Sequence, residues 1–290
     1  MGTVSAGDGN TLAILYDTIR WEEKALYEAA RKKGVSVENV DIKALRLRLG
    51  GQSDFKDRVV LQRSVSYFKS LHATAALEGL GAKVINPLKV AGITGNKLFA
   101  HMELEKAGVR TPKAIAAFSE EAAIQALDEF GYPAVIKPTV GSWGRMIGLL
   151  RDRDAARAVI EDREHMFPLY HIYYFEEFVK RPPRDIRAIV VGDRVVAAIY
   201  RYSGDGEWKT NMALGGRAEV CPVTEELSDI CMKATRAVGG QIVGVDLMEG
   251  DDGLMVHEVN NTTEFKNTVR VTGVDIPGLM IDYALSLYKR

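Results

Sequence analysis

The sequence predicts a chain in two parts: an α/β unit on a parallel sheet, then a larger α+β region with antiparallel strands. Three observations carry this. Short apolar runs alternate with helix-periodic segments before residue 95, a glycine-punctuated β-α-β-β-α block with the size of a lid subdomain spans about 111–171, and paired strand-like runs follow it. The expected division is a flexible start at 1–10, an N-terminal α/β domain at 11–94, and a second region at 95–290.

Composition narrows the class. The 290 residues hold 38 Lys+Arg against 39 Asp+Glu, a net charge of −1, with 47% hydrophobic residues, which excludes fibrous and disordered chains. Near-neutral charge argues against coating nucleic acid or an anionic membrane. No apolar run approaches the roughly 18 residues of a spanning helix, and the first ten residues lack a signal-peptide core, so a cytoplasmic protein is expected. Cys221 and Cys231 have no zinc-like spacing and read as reduced packing residues.

In order, 12–16 is an apolar strand, and Trp21, Ala25, Leu26, Ala29 and Ala30 recur at helical spacing. Strands are expected at 59–61 and 83–85, with a helix at 71–80 between them. Ligand groups should lie beyond the strand carboxyl ends, at 17–20, 63–67 and Asn86. A helix should run from Gly95 to about Ala107. Next come a strand at 113–117, a helix capped by Ser119 and closed by Gly131, a strand at 133–137, the loop Gly141-Ser-Trp-Gly-Arg145, a strand at 146–150 and a helix at 154–164. Further strands are expected at 172–179, 185–191, 195–200, 242–248 and 254–259, and helices at 225–238 and 277–288.

Two late strands carry acids where a core is expected. Asp246 lies within Ile242-Val-Gly-Val-Asp-Leu-Met248 and Glu258 within Leu254-Met-Val-His-Glu-Val-Asn260, with Asn260 on the same face as Glu258. If the turn at 250–253 centres on Asp252, Asp246 and Glu258 each stand six residues from it and pair directly. Ionised carboxylates so placed repel unless a cation lies between, and Asp, Glu and an Asn carbonyl are hard donors suited to Mg²⁺. The alternative is an exposed face of solvated acids.

The cations have a pattern too. Lys137 ends a strand just before the glycine loop, where backbone N–H groups can approach phosphate, although the loop matches neither common phosphate-binding glycine motif. Lys97 sits in the first turn of the Gly95 helix. Arg187 and Arg201 share a face only if their hairpin has a three-residue loop, 192–194; that loop is the expectation, because two aligned guanidiniums suit a transferring phosphoryl group. A tight two-residue turn would put them on opposite faces. Arg63, beyond the third strand, is either a ligand for a substrate carboxylate or a structural loop residue.

Taken together, Lys97, Ile136-Lys-Pro138, the Gly141 loop, Tyr174-Phe-Glu-Glu-Phe-Val179, Asp185-Ile-Arg187, Arg201, Asn211, Asp246 and Glu258-Val-Asn260 resemble the ATP-grasp superfamily. Ala213-Leu-Gly-Gly-Arg217 and Asn260-Asn-Thr-Thr-Glu-Phe-Lys-Asn267 resemble its RimK-like branch of carboxylate–amine ligases. The resemblance covers nearly everything from Gly95 onward. It implies an ATP-grasp fold with a flavodoxin-like pre-ATP-grasp domain, a central lid and a C-terminal antiparallel sheet.

It also implies ATP and two Mg²⁺ ions. ATP would contact Lys97, Lys137, Gly141, Ser142, Trp143, Gly144, Arg145, Glu176, Glu177, Phe178, Val179, Arg201 and Asn211. Asp246, Glu258 and Asn260 would hold metal, and Arg187 and Arg201 would be catalytic. Asn261, Thr262, Glu264, Phe265, Lys266, Asn267, Thr268 and Val269, with Arg63, would meet the amine substrate; no residue stands out as the amine's base, and Glu264 is either a candidate for it or a partner of Lys266. The implied reaction activates the terminal glutamate of a small acidic amino-group carrier protein, LysW, and joins it to 2-aminoadipate. Asn267-Thr268-Val269 resembles the aminoadipate-type Asn-Ser-Val, while glutamate, both substrates, or another protein tail remain open. Arg184, Lys209 and Arg217 are either plain solvated charges or residues that steer the carrier, and relatives imply a homodimer or homotetramer. A non-catalytic nucleotide binder is the rival class, disfavoured because it could dispense with Asp246 and Glu258.

Overall fold

A computed structural model describes residues 11–141, 144–203 and 217–289. The N-terminal unit has four parallel strands in the order β2-β1-β3-β4: β1 (Leu12–Tyr16), β2 (Val37–Asp41), β3 (Val59–Gln62) and β4 (Lys83–Ile85). β2 was not anticipated, because Val-Glu-Asn-Val-Asp has no continuous apolar run; as an edge strand it buries only Val40 fully. α1 (Trp21–Lys32) and α2 (Tyr67–Gly79) flank the sheet, α2 starting four residues before its apolar periodicity.

The single helix expected after Gly95 is instead the second of two, α3 (Leu88–Thr94) and α4 (Lys97–Lys106). Asn96 caps α4 by accepting from the Leu98 and Phe99 backbone N–H groups. Gly95 is needed at the break, since a Cβ there would lie 1.9 Å from the Tyr67 ring.

The middle block is a sheet of β5 (Ala114–Ala117), β8 (Tyr173–Glu177), β6 (Ala134–Lys137) and β7 (Gly148–Leu150), in that order, with α5 (Glu120–Phe130) and α6 (Arg153–Glu164) packed on it. Ser119 caps α5 as expected, and Asp152 caps α6. Because β8 pairs with both β5 and β6, this middle sheet reaches past residue 171, where the lid was expected to end, to Glu177.

The C-terminal sheet runs β11-β10-β9-β12-β13: β9 (Arg184–Val191), β10 (Arg194–Tyr202), β11 (Ala218–Val220), β12 (Ile242–Gly250) and β13 (Gly253–Asn260). α7 (Glu225–Val238) covers one face, burying Leu227, Cys231 and Val238 against Val190, Val243 and Val245. Both cysteines are free and buried, as expected. α8 (Lys266–Thr272) and α9 (Ile276–Ser286) follow, and α9 joins Ile281 to one core with Leu12, Ile14, Ile189 and Ile242. The N-terminal unit and the C-terminal sheet thus share a core. Among the described residues no helix is long and apolar enough to cross a membrane.

Both functional hairpins depart from the expected turns in the same way. Val191 pairs with Arg194, so the first turn is the two-residue Gly192-Asp193 and not the three-residue loop. Left alone, that turn would set Arg187 and Arg201 on opposite faces. A β-bulge at Val196 moves the register by one residue, so that Arg187 faces Ile199, Arg201 faces Asp185, and both arginines share a face. In the second hairpin Gly250 pairs with Gly253, centring the turn between Asp251 and Asp252. Asp246 would then oppose His257, but His257 is itself a bulge, and Asp246 meets Glu258. The two alignments expected from sequence hold, each through an inserted residue and not through the turn.

Candidate active site

These bulges align one row across four strands, Ile199–Arg187–Asp246–Glu258. The row forms part of the wall of a cleft of ≈ 880 Å³ between the lid, the C-terminal sheet and the N-terminal unit. Arg187 donates from Nη2 to Asp246 Oδ2 at 2.7 Å and from Nε to Oδ1. Arg201 holds Asp185 bidentately, at 2.6 and 2.9 Å, and places Nη2 3.1 Å from Asp246 Oδ2. Burial alone would raise the Asp246 carboxyl; the two guanidiniums outweigh it and hold the group well below the usual carboxylate range. Arg201 is correspondingly raised, its two acids overcoming desolvation. The repulsion expected between Asp246 and Glu258 is therefore relieved by the chain's own cations.

Lys97 supplies the other neutralising charge. Its Nζ lies 2.9 Å from Glu258 Oε1 and 2.8 Å from the Gly141 carbonyl, tying the lid loop to β13, so it is no ordinary surface lysine. Lys137 is buried and bonds Glu176 and His257 Nδ1, the latter at 3.1 Å. Glu176 also accepts from the Tyr174 hydroxyl at 3.0 Å, and although burial would raise it, the Lys137 ammonium keeps it low. Burial, with Lys137 beside it, pushes the His257 imidazole down to about 3, so it is neutral. Glu177, Phe178 and Val179 also line the cleft, as do Gly144 and Arg145. Ser142, Trp143, Asn211 and Lys209 lie outside the described residues.

For a metal, the donors are Asp246, Glu258 and Asn260, whose Nδ2 lies 3.5 Å from Asp246 Oδ2. Among the described residues no cluster of three His, Cys, Asp or Glu is assembled. Two facing carboxylates plus an amide oxygen nonetheless fit the hard, oxygen-seeking Mg²⁺, which takes few protein ligands and keeps waters and phosphate oxygens.

The amine-side expectations divide. Asn261, Thr262, Glu264, Lys266, Asn267 and Thr268 line the cleft. Arg63, Phe265 and Val269 do not: Arg63 is 2% exposed, donates to the Thr263 carbonyl at 3.0 Å and to Glu23 at 3.3 Å, and lies over the Phe265 ring. Phe265 is fully buried against Trp21, and Val269 packs on the same core. Phe265 and Val269 depart from the sequence reading, which placed them against substrate, and Arg63 takes the structural one of its two expected roles; all three back the wall. Glu264 pairs with Arg20 at 3.5 Å and not with Lys266. Asn86, beyond β4, braces backbone at Gln241, Ile242 and Asn261. Of the steering cations, Arg184 is clamped by Glu249 over the Tyr200 ring, and Arg217 pairs with Glu219 while staying exposed.

Arg20, beyond the β1 end where ligand groups were expected, is a further cation lining the cleft. Glu23 receives it at 2.7 and 3.1 Å and receives Arg63 as well, and these guanidiniums hold the Glu23 carboxyl low against the upward push of burial. A depressed carboxylate stabilises above its unfolded pKa, near 4.5, and that contribution fades as pH falls through the folded value. Glu23→Gln is expected to cost roughly 1.5–3 kcal/mol at pH 7. Urea unfolding across pH should show this deficit shrinking below about pH 4.5; a pH-independent deficit would contradict it.

The comparisons fit this geometry. Residues 94–284 match the model of the RimK-like ATP-grasp domain, and residues 12–93 match the LysX preATP-grasp domain. The α-aminoadipate–LysW ligase LysX of Sulfurisphaera tokodaii is 38% identical over 275 residues, 93% of this chain and 96% of its own. The glutamate–LysW ligase ArgX of Sulfolobus acidocaldarius is 31% identical over 281 residues, 96% and 99% of the two chains. In fold, the chain resembles the RimK-domain ATP-grasp protein of Sphaerobacter thermophilus, with TM-score 0.75 over 95% of this chain and 99% of that one at 24% identity.

Proposed function

The chain belongs to the RimK-like ATP-grasp family, and from that premise we propose that it is an ADP-forming ligase joining 2-aminoadipate to the terminal glutamate of the carrier protein LysW. The observation that carries the chemistry is the Arg187–Asp246–Glu258 row facing Lys97 and Lys137 across one cleft. In the reaction, an oxygen of the carrier's side-chain carboxylate attacks the γ-phosphorus of ATP; the P–O bond to ADP breaks and an acyl phosphate forms. The amine of aminoadipate then attacks the acyl carbon, phosphate leaves with the C–O electron pair, and the ammonium proton passes to a base.

Lys97 and Lys137 are placed as point charges for phosphate oxygens. Arg187 and Arg201, held in place by Asp246, stabilise the tetrahedral oxyanion and the departing phosphate. Two Mg²⁺ ions, with Asp246, Glu258 and Asn260 as ligands, would neutralise phosphate charge. The acids are thus paired with arginine before substrate arrives, which keeps the cleft electrically balanced. Glu264, in the cleft and 46% exposed, is the carboxylate positioned to take the amine proton.

Aminoadipate is favoured over glutamate because Asn267-Thr268 lines the cleft in the aminoadipate-type pattern and because LysX is the more similar relative of the two. One methylene separates the amino acids, worth about 1–3 kcal/mol, so glutamate should be a slower substrate and not an excluded one. The test is ADP release from ATP and Mg²⁺ with LysW plus each amino acid, read together with the carrier's mass. Carrier-dependent turnover, faster with aminoadipate, is expected. ADP formation independent of LysW would sink the assignment, and faster turnover of glutamate would move the chain to the arginine-forming branch.

A further inference from the structure

An ammonium has three N–H donors and no acceptor. Lys137 gives one to Glu176 and one, at 3.1 Å, to Nδ1 of His257. The imidazole must therefore offer its Nδ1 lone pair and carry its proton on Nε2. With two of three directions on a tetrahedral nitrogen taken, the direction of the third is set.

The two acceptors differ in what they control. Glu176 and Lys137 stand on adjacent, hydrogen-bonded strands of one sheet, β8 and β6. His257 stands on β13, in the sheet that carries Asp246 and Glu258, so it alone of the two refers the Lys137 ammonium to that sheet. Without the bulge the turn would set His257 opposite Asp246 and leave Glu258 on the other face. Regular alternation would turn His257 away from Glu258, whereas the bulge leaves both neighbours lining the cleft. The consecutive residues His257 and Glu258 then each hold one lysine, Lys137 and Lys97.

We propose that His257 is a positioning residue for Lys137: by accepting one ammonium proton it aims the remaining N–H at a nucleotide phosphate and sets β6 against β13. The inference rests on the nucleotide reading given above. It requires an acceptor at residue 257, and the asparagine amide oxygen offers one close to where Nδ1 stands, while leucine and alanine offer none.

The experiment titrates Mg²⁺ with the non-hydrolysable analogue AMPPNP into the wild-type chain and the His257→Asn, His257→Leu and His257→Ala variants, with KM for each substrate and the melting temperature measured alongside. Loss of a hydrogen bond to a charged group should weaken nucleotide binding and raise KM for ATP about 10-fold or more in the Leu and Ala variants. KM for aminoadipate should stay within about twofold, and the Asn variant within about threefold of wild type throughout. If Leu fails to fold, Ala carries the comparison. Nucleotide affinity unchanged in the Leu or Ala variant overturns the proposal, as does an Asn variant that loses as much as they do. A wild-type chain that does not bind AMPPNP overturns the nucleotide reading and this inference with it; a wild type that binds, with indifferent variants, overturns only the inference.

Discussion

Replacing Arg187 by methionine is expected to lower kcat by about 100- to 1,000-fold while leaving KM for aminoadipate within a few-fold. Methionine keeps much of the aliphatic stem and removes the planar cation. The guanidinium sits in the cleft wall directly opposite Asp246 in register, bonded through both Nε and Nη2, so it is rigidly aimed before any substrate binds. A donor fixed in advance acts most where charge develops, on the tetrahedral oxyanion and the leaving phosphate, and its loss falls on kcat. The fold should tolerate the change better than the chemistry, because Asp246 keeps Arg201 at 3.1 Å. Arg187→Lys should fall between, since a lysine restores charge without the two-pronged geometry. Steady-state ADP release with saturating LysW measures both constants; an unchanged kcat in Arg187→Met would remove Arg187 from the catalytic residues.

Much of the architecture was legible in the sequence because it rests on patterns that survive without tertiary context. The buried run Leu12–Tyr16, the Ser119 cap and the amphipathic Glu225–Val238 helix are all local signals. What escaped was set by neighbours. β2 has no apolar run of its own and exists because β1 offers it an edge. α3 is a short helix just before one already recognised, and the break between them is dictated by the Tyr67 ring against Gly95.

The site shows the same division more sharply. The acids and arginines stood out because charge inside an apolar strand is anomalous. Their alignment was anticipated by turn geometry that the structure does not have. Both turns are shorter than expected, and a bulge in each strand pair restores the register. A bulge has no sequence signature here: Val196 and His257 look like ordinary strand residues. For the same reason His257, one residue from Glu258, was assigned no role. Phe265 and Val269 failed in the opposite direction, since proximity to a functional motif in sequence does not distinguish a residue facing the cleft from one holding the wall behind it.

Arg201 should reveal a different balance from Arg187, with the larger effect on stability. Its guanidinium is shared by Asp185, 2% exposed, and Asp246, 3% exposed. Removing it by Arg201→Met strips one carboxylate of its bidentate partner and the other of one of two cations, and taking one member from a buried ion pair costs about 3–5 kcal/mol. For a chain of this size that corresponds to a fall in Tm on the order of 10 °C, against a smaller fall for Arg187→Met. The deficit is electrostatic, so it should shrink when the carboxylate that lost its bidentate partner is removed as well. Asp185→Asn in the Arg201→Met background should recover part of the stability, whereas Asp185→Asn alone should destabilise, giving a coupling energy well above the 0.5 kcal/mol or so expected of independent sites. Urea unfolding of the four proteins closes that cycle. Additive losses would mean that Asp185 and Arg201 stabilise the sheet separately; a strong coupling with no recovery of turnover in the double variant would mean that the pair holds the fold while only the arginine serves the chemistry.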